Sequence, residues 1–254
     1  MRESIAQLKQ IVRLFRDGRA KCASRVSTLI ADKVGLEIGG PSPIFSKYGS
    51  IPLYGDVLSL DNVVFAEDTV WEGRRLAGRT FTFARGKPPG NNFVLDASSL
   101  KTLQNETYDF VLASHCLEHI ANPIRALYEW HRVLRPDGIL LLILPDMSRT
   151  FDHKRPPTPL SHLVEDYERG VGEDDLTHLP EILELHDLAR DPQAGTPEQF
   201  KARALRNFEN RCLHHHVFSQ ESGYKLVEFA GFQVDHQEIT KPFHLIFLAR
   251  KRIG

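Results

Sequence analysis

The sequence predicts an α/β fold: a Rossmann-like sheet of seven strands, mostly parallel, with a C-terminal antiparallel hairpin and a helical insertion before the last helix and strands. Three observations carry this. Short apolar runs recur through the first 146 residues, and each ends in a polar or acidic residue. The last two runs are joined by only Ile239-Thr-Lys-Pro242, too short for a parallel crossover, so they must pair antiparallel. Between these parts, residues 147–218 break the pattern with a stretch rich in His, Asp, Pro and charge.

In chain order, residues 3–17 place Ile5, Leu8, Val12 and Phe15 at helical spacing, and Asp17-Gly18 ends the stripe. A second short helix is expected over 20–32, which makes 1–33 an N-terminal helical segment. Val34-Gly-Leu-Glu-Ile-Gly-Gly-Pro41 reads as a strand that stops at a glycine pair, where a ligand can lie against bare backbone. Glu37 beside that turn can accept hydrogen bonds. A second run ends at Leu53-Tyr-Gly-Asp56 and a third at Phe93-Val-Leu-Asp96-Ala97. Tyr108 to Ser114-His115 forms the fourth run, and Gly138 to Pro145-Asp146 the fifth. The alternation implies intervening helices and right-handed crossovers. The helix after the fourth strand should start at Asn122-Pro123, with Ile124, Leu127, Tyr128 and Leu134 facing inward. Arg135-Pro-Asp-Gly138 has turn chemistry. Within the insertion, helical pieces are expected over 159–169, 179–189 and 197–210. A helix over 219–230, stopped by Gly231, precedes the final strands Phe232–Glu238 and Phe243–Arg250. The domain organisation expected is therefore 1–33, then 34–146 joined with 219–254, with 147–218 as an inserted cover for a substrate.

Composition narrows the function. The chain of 254 residues is 41% hydrophobic and 26% charged, with a formal net charge of −1. That balance makes nucleic acid an unlikely partner, since such binding needs a basic face. The clusters Arg13, Arg16, Arg19, Lys21 and Lys201, Arg203, Arg206 read as solvated helix faces. Cys22, Cys116 and Cys212 have no metal-type spacing and fit free thiols in the cytoplasm. No run is long and apolar enough for a membrane span.

The series of strand ends resembles the class I S-adenosylmethionine-dependent methyltransferases. The runs Ala113-Ser-His-Cys-Leu-Glu-His-Ile120 and Arg132-Val-Leu-Arg-Pro-Asp-Gly138 are typical of that family, and Pro145 to Thr158 is similar to bacterial methyltransferases of polysaccharide and natural-product pathways. The third glycine usual in the family's loop is replaced here by Pro41-Ser-Pro43. The resemblance implies S-adenosylmethionine as cofactor, lined by Glu37, Gly39, Gly40, Asp56, Asp96, Ala97, Ser114 and His115, with Asp56 on the ribose and Asp61 as the alternative. It implies O-methylation of a sugar or small-molecule acceptor. N-methylation of an amino sugar or peptide side chain, and a non-catalytic cofactor-binding subunit, are the alternatives. Nicotinamide binding would want Gly-x-Gly-x-x-Gly, which Gly39-Gly-Pro-Ser-Pro43 does not supply.

A hydroxyl acceptor calls for a general base, and histidine titrates nearest neutrality. The chain has 12 histidines. The expected candidates are Asp152 and His153 after the fifth strand, His162, which shares a helical face with Asp166, and His215 within the His214–His216 run. Arg155 and Tyr167 are expected substrate contacts. No metal is assigned, although His115, Glu118 and His119 share one face and could hold Zn²⁺ or Mn²⁺ with a further ligand from the insertion. The oligomeric state stays open, with a homodimer as the candidate.

Overall fold

The computed structural model describes residues 18–69 and 73–252. The helical stripe over 3–17 lies outside them. The strands are β1 (Val34–Ile38), β2 (Ser59–Val64), β3 (Asp68–Thr69), β4 (Gly73–Arg74), β5 (Gly78–Phe81), β6 (Gly90–Val94), β7 (Tyr108–Ser114), β8 (Leu134–Pro145), β9 (Phe232–Thr240) and β10 (His244–Lys251). Eight of them form one sheet in the order β5-β6-β2-β1-β7-β8-β10-β9, and β3 pairs with β4 apart from it. The pairs β6–β2, β2–β1, β1–β7 and β7–β8 are parallel, whereas β5 runs antiparallel to β6, and β10 to β8 and β9. The chain steps outward from β1 to β2 and β6, then returns to lay β7 on the other side of β1. That reversal between β1 and β7 is the switch point where open α/β sheets form a crevice.

Four expectations need correction. The sheet has eight strands rather than seven, because β5 adds an antiparallel edge. The second strand is Ser59–Val64, so Leu53 to Asp56 precedes it rather than ending it. Among the described residues, no α-helix lies in the β1–β2, β2–β6 or β6–β7 connections. Pro41, Pro43, Pro52, Pro88 and Pro89 with nearby glycines interrupt helix formation in the first two of these connections, and only a 3₁₀ turn, Pro43–Phe45, forms in the first. Tyr128 is 37% exposed, and Trp130 takes the inner position on its helix instead.

The helices are α1 (Ala23–Ile30), α2 (Pro123–Val133), α3 (Leu160–Arg169), α4 (Leu179–Leu185), α5 (Pro197–Ala204), α6 (Asn207–Asn210) and α7 (Gln220–Phe229). α2 starts where proline at its first position predicts, and the Asn122 side chain accepts a hydrogen bond from the Arg125 N–H at 3.0 Å. The stretch expected as one helix over 197–210 divides into α5 and α6.

The core lies on both faces of the sheet. β8 shows why: Leu140, Leu142 and Leu144 point to the α2 and α7 side, while Ile139, Leu141 and Ile143 point to the α1 side. The insertion is tied to this core through Leu163, which is fully buried against it. It also holds a small cluster of its own around Leu179, Ile182, Phe200 and Leu213. No helix of the described residues is long and apolar enough to cross a membrane.

Candidate active site

The turn after β1 is built by buried polar groups. Glu37 is fully buried, and its carboxylate accepts hydrogen bonds from the Ser42 N–H at 2.9 Å and from the Tyr54 hydroxyl at 2.9 Å. Asn62 of β2 accepts from the Gly40 N–H at 2.8 Å. A Cβ on Gly40 would stand 2.3 Å from the Glu37 carboxyl carbon, so only glycine lets the acid fold back beneath the loop. Gly39 has φ +72°, the left-handed region that glycine enters without cost.

A cavity of about 450 Å³ opens above this turn, within the range of ligand pockets. Gly39, Val64, Asp96, Ala97, Ser114 and His115 line it from the ends of β1, β2, β6 and β7. Two residues of the insertion complete it, Glu173 and Arg211. The Arg211 guanidinium pairs with Glu173 at 2.7 Å and Asp96 at 3.3 Å. Burial pushes the Glu173 carboxyl up to about 7, against the opposing pull of Arg211.

A larger cavity, about 940 Å³, adjoins the first, and the two share Pro43, Ser114, His115 and His119. Its wall carries an acid–imidazole pair: His214 Nδ1 lies 2.6 Å from Asp152 Oδ2. The other Asp152 oxygen accepts from Arg155, whose guanidinium is buried and also donates to the His214 and His215 carbonyls and to Glu181. Burial alone would lower the His214 pKa, but the Asp152 charge and hydrogen bond outweigh it and hold it above the ordinary value. His119 packs edge-on against His214, and burial together with that neighbour depresses its imidazole to about 4. Glu118 is 1% exposed. Burial opposes its charge, yet His115, His119 and His214 keep its carboxyl below the usual range.

Of the residues expected at the cofactor, Gly39, Asp96, Ala97, Ser114 and His115 line the smaller cavity. Glu37 and Gly40 lie just beneath it and shape the turn. Asp56 is a correction. It sits at the opposite, amino edge of the sheet, where its backbone accepts from the Asp32 N–H and its carboxylate accepts from the Ser27 hydroxyl at 2.6 Å. Asp61 lies within β2 and accepts from Tyr108 and Asn91. Of the expected catalytic groups, Asp152 lines the larger cavity. His153, His162 and His215 do not: His153 pairs with Asp187, His162 faces His178, and His215 is buried on Asn207. Arg155 also lines the larger cavity, with its guanidinium engaged by Asp152, Glu181 and the His214 and His215 carbonyls, whereas Tyr167 packs on Tyr128 outside both cavities. The expected ligand group is also rearranged. His115 turns to His244 at 2.7 Å, while Glu118 and His119 gather with His214. Sequence reasoning missed Arg211 and Glu173, which carry no motif, and reached His214 only as one of a run.

A family model described as a methyltransferase domain matches residues 77–142, the stretch from just before β5 into β8. No curated protein sequence matches the chain. Among solved structures, a SAM-dependent methyltransferase of Methanosarcina mazei is similar, with 19% identity, a TM-score of 0.51, and 91% of this chain and 98% of that chain covered. An S-adenosylmethionine-dependent methyltransferase of Mesorhizobium loti aligns with 12% identity and a TM-score of 0.50, over 89% of this chain and 95% of that one. The chain therefore has the fold of these methyltransferases, and the segment matched by the family model carries Asp96 to the smaller cavity, Glu118 to the larger, and Ser114 and His115 to both.

Proposed function

We propose that this chain is an S-adenosylmethionine-dependent methyltransferase acting on a hydroxyl of a sugar or small molecule, in glycan or natural-product biosynthesis. The observation that carries the reading is the meeting of two cavities at Ser114, His115 and His119, with the Asp152–His214 pair in the wall of the larger. The smaller cavity suits the cofactor: bare backbone at Gly39 for the methionine part, and Asp96 and Ala97 for the adenine. When bound, S-adenosylmethionine supplies an electrophilic methyl carbon on a sulfonium. The chain supplies alignment, worth ~7–11 kcal/mol of barrier in well-oriented reactions. Asp152 holds His214 with its Nδ1–H directed at the carboxylate, which leaves Nε2 to accept the hydroxyl proton as the new C–O bond forms and the C–S bond breaks. Arg155 positions this pair through its bonds to Asp152 and the His214 carbonyl.

His214→Ala should lower kcat by about 10²–10⁴-fold, the span of general-base assistance, with S-adenosylmethionine affinity by calorimetry unchanged. A kcat within a few-fold of the parent would remove His214 from the reaction.

A second reading is favoured by Glu118. Both of its carboxylate oxygens are buried with no hydrogen-bond partner among the described residues, and His115 Nδ1 at 3.6 Å is too far to donate one. Glu118, His119 and His214 offer ligand atoms within 4.8 Å of one another, a two-His, one-carboxylate set in the wall of the acceptor cavity. A divalent cation there would lower the pKa of a bound hydroxyl. Activity abolished by chelation, restored by Mn²⁺ or Zn²⁺, and lost outright in Glu118→Gln would select this reading over the simple base.

A further inference from the structure

Away from both cavities, a second group of imidazoles closes around one buried acid. α3 presents His162 and Asp166 on a single face, one turn apart. His178 comes from the start of α4, and His216 from the segment that leads into α7. The four side chains place one ligand-capable atom each within 4.8 Å of one another.

The spacings are informative. His162 Nε2 lies 3.2 Å from His178 Nε2 and 3.2 Å from Asp166 Oδ2, and His216 Nε2 lies 3.7 Å from the same oxygen. A tetrahedral zinc with ligand bonds of about 2.0–2.1 Å has ligand atoms roughly 3.3 Å apart. Three edges of that tetrahedron are thus already close to length. Two imidazole Nε2 atoms that approach this closely cannot both carry a proton. Asp166 is 2% exposed, and its Oδ2 has no hydrogen-bond partner among the described residues. A buried carboxylate oxygen left so is costly unless something satisfies it. The competing arrangement is a hydrogen-bonded network, in which His162 donates to Asp166 and His216 donates its Nε2–H to the Ala121 carbonyl at 3.2 Å.

We infer that His162, Asp166, His178 and His216 form a binding site for a zinc-class divalent cation that pins α3 and the start of α4 to the segment bearing His214. Three imidazoles and one carboxylate are the donor set of zinc rather than of Ca²⁺ or Mg²⁺, which take oxygen ligands. The set is closed and lies outside the two cavities, so the cation is structural and its presence does not depend on the methyl-transfer reading. It would cross-link three chain segments that are 16 to 54 residues apart in sequence, among them the one that carries His214.

The test is metal content by mass spectrometry on the full chain, followed by Co²⁺ titration of the chelated protein with visible absorption as readout. The parent should carry about one equivalent of zinc assigned to this site and, once stripped, give the intense spectrum of tetrahedral Co²⁺. Asp166→Asn and His178→Ala should lose that equivalent, His178→Cys should keep it, and Glu118→Gln should keep both metal and spectrum. Chelation should lower the Tm of the parent and leave that of Asp166→Asn unmoved. A parent that takes up neither zinc nor Co²⁺ at micromolar concentration would overturn the site, whatever the variants do. So would metal retained by Asp166→Asn and His178→Ala but lost by Glu118→Gln, which would place the ion in the acceptor cavity.

Discussion

The acid that ends β1 does its work from below the turn. Glu37 braces the loop through Ser42 and Tyr54, and Gly40 leaves the space it occupies. Gly40→Ala should therefore destabilise the protein by about 1–3 kcal/mol, the cost of overpacking a tight site. It should also weaken S-adenosylmethionine binding. Thermal melts and calorimetry check both, and an unchanged Tm would mean the Glu37 side chain yields freely. Asp56 makes the opposite case. Asp56→Ala should cost about 0.5–1.5 kcal/mol of stability through the lost Ser27 contact, with cofactor affinity unaltered. A tenfold weaker cofactor Kd in this variant would return Asp56 to the site. The sequence made the turn itself legible, because an apolar run that stops at a glycine pair is followed at intervals by further runs that end in polar residues. It could not reveal that the acid is aimed inward. That depends on Tyr54, which reaches Glu37 from 17 residues away.

At the level of elements, what was legible followed local chemistry. α2 begins at Asn122-Pro123, α3 runs over almost the expected span, and α7 stops before Gly231. In each case, caps, proline and glycine act within a few residues. β2 was misread because Leu53 and Tyr54 are apolar for another reason. They are buried beside Phe45 in the cluster on the α1 face, without any strand pairing. The true strand, Ser59-Leu-Asp-Asn-Val-Val64, carries polar Asp61 and Asn62, which hydrogen-bond across the sheet to Asn91 and Asn92. The approach of the insertion to the sheet edge was equally invisible, since Glu173 and Arg211 stand far from any motif. Glu173 offers a pH test of that contact. Its carboxyl is raised from 4.5 to about 7 in the folded protein. The stability it contributes is present in full below the unfolded value and is lost as pH rises through about 7. Urea unfolding across pH 4–8 should show Glu173→Gln gaining on the parent through that window, on the order of 2–3 kcal/mol by its end. A difference that does not change with pH would mean Glu173 ionises as freely as in the unfolded chain.

On the scale of the whole molecule, the insertion belongs to the sheet as much as to itself. Leu163 and the flanking Phe218 sit fully buried in the main core, while the insertion's own cluster is small. Arg211 ties the roof of the smaller cavity to Asp96 of the sheet edge, and Arg155 ties the wall of the larger to Glu181. A ligand in the smaller cavity therefore touches both parts at once, although they are remote in sequence. Hydrogen exchange should register this. Binding of S-adenosylmethionine should slow exchange in the turns at 39–43 and 96–99, and equally in 171–174 and 211–216. The backbone of the second pair is held by the contacts of Glu173 and Arg211, and a ligand that fixes those side chains lowers the chance of local opening. Arg211→Ala should uncouple the two: protection at 39–43 persists, and the gain at 211–216 disappears. If the ligand protects only the sheet-edge turns in the parent, the insertion does not close over the cofactor. The acceptor would then have to order it.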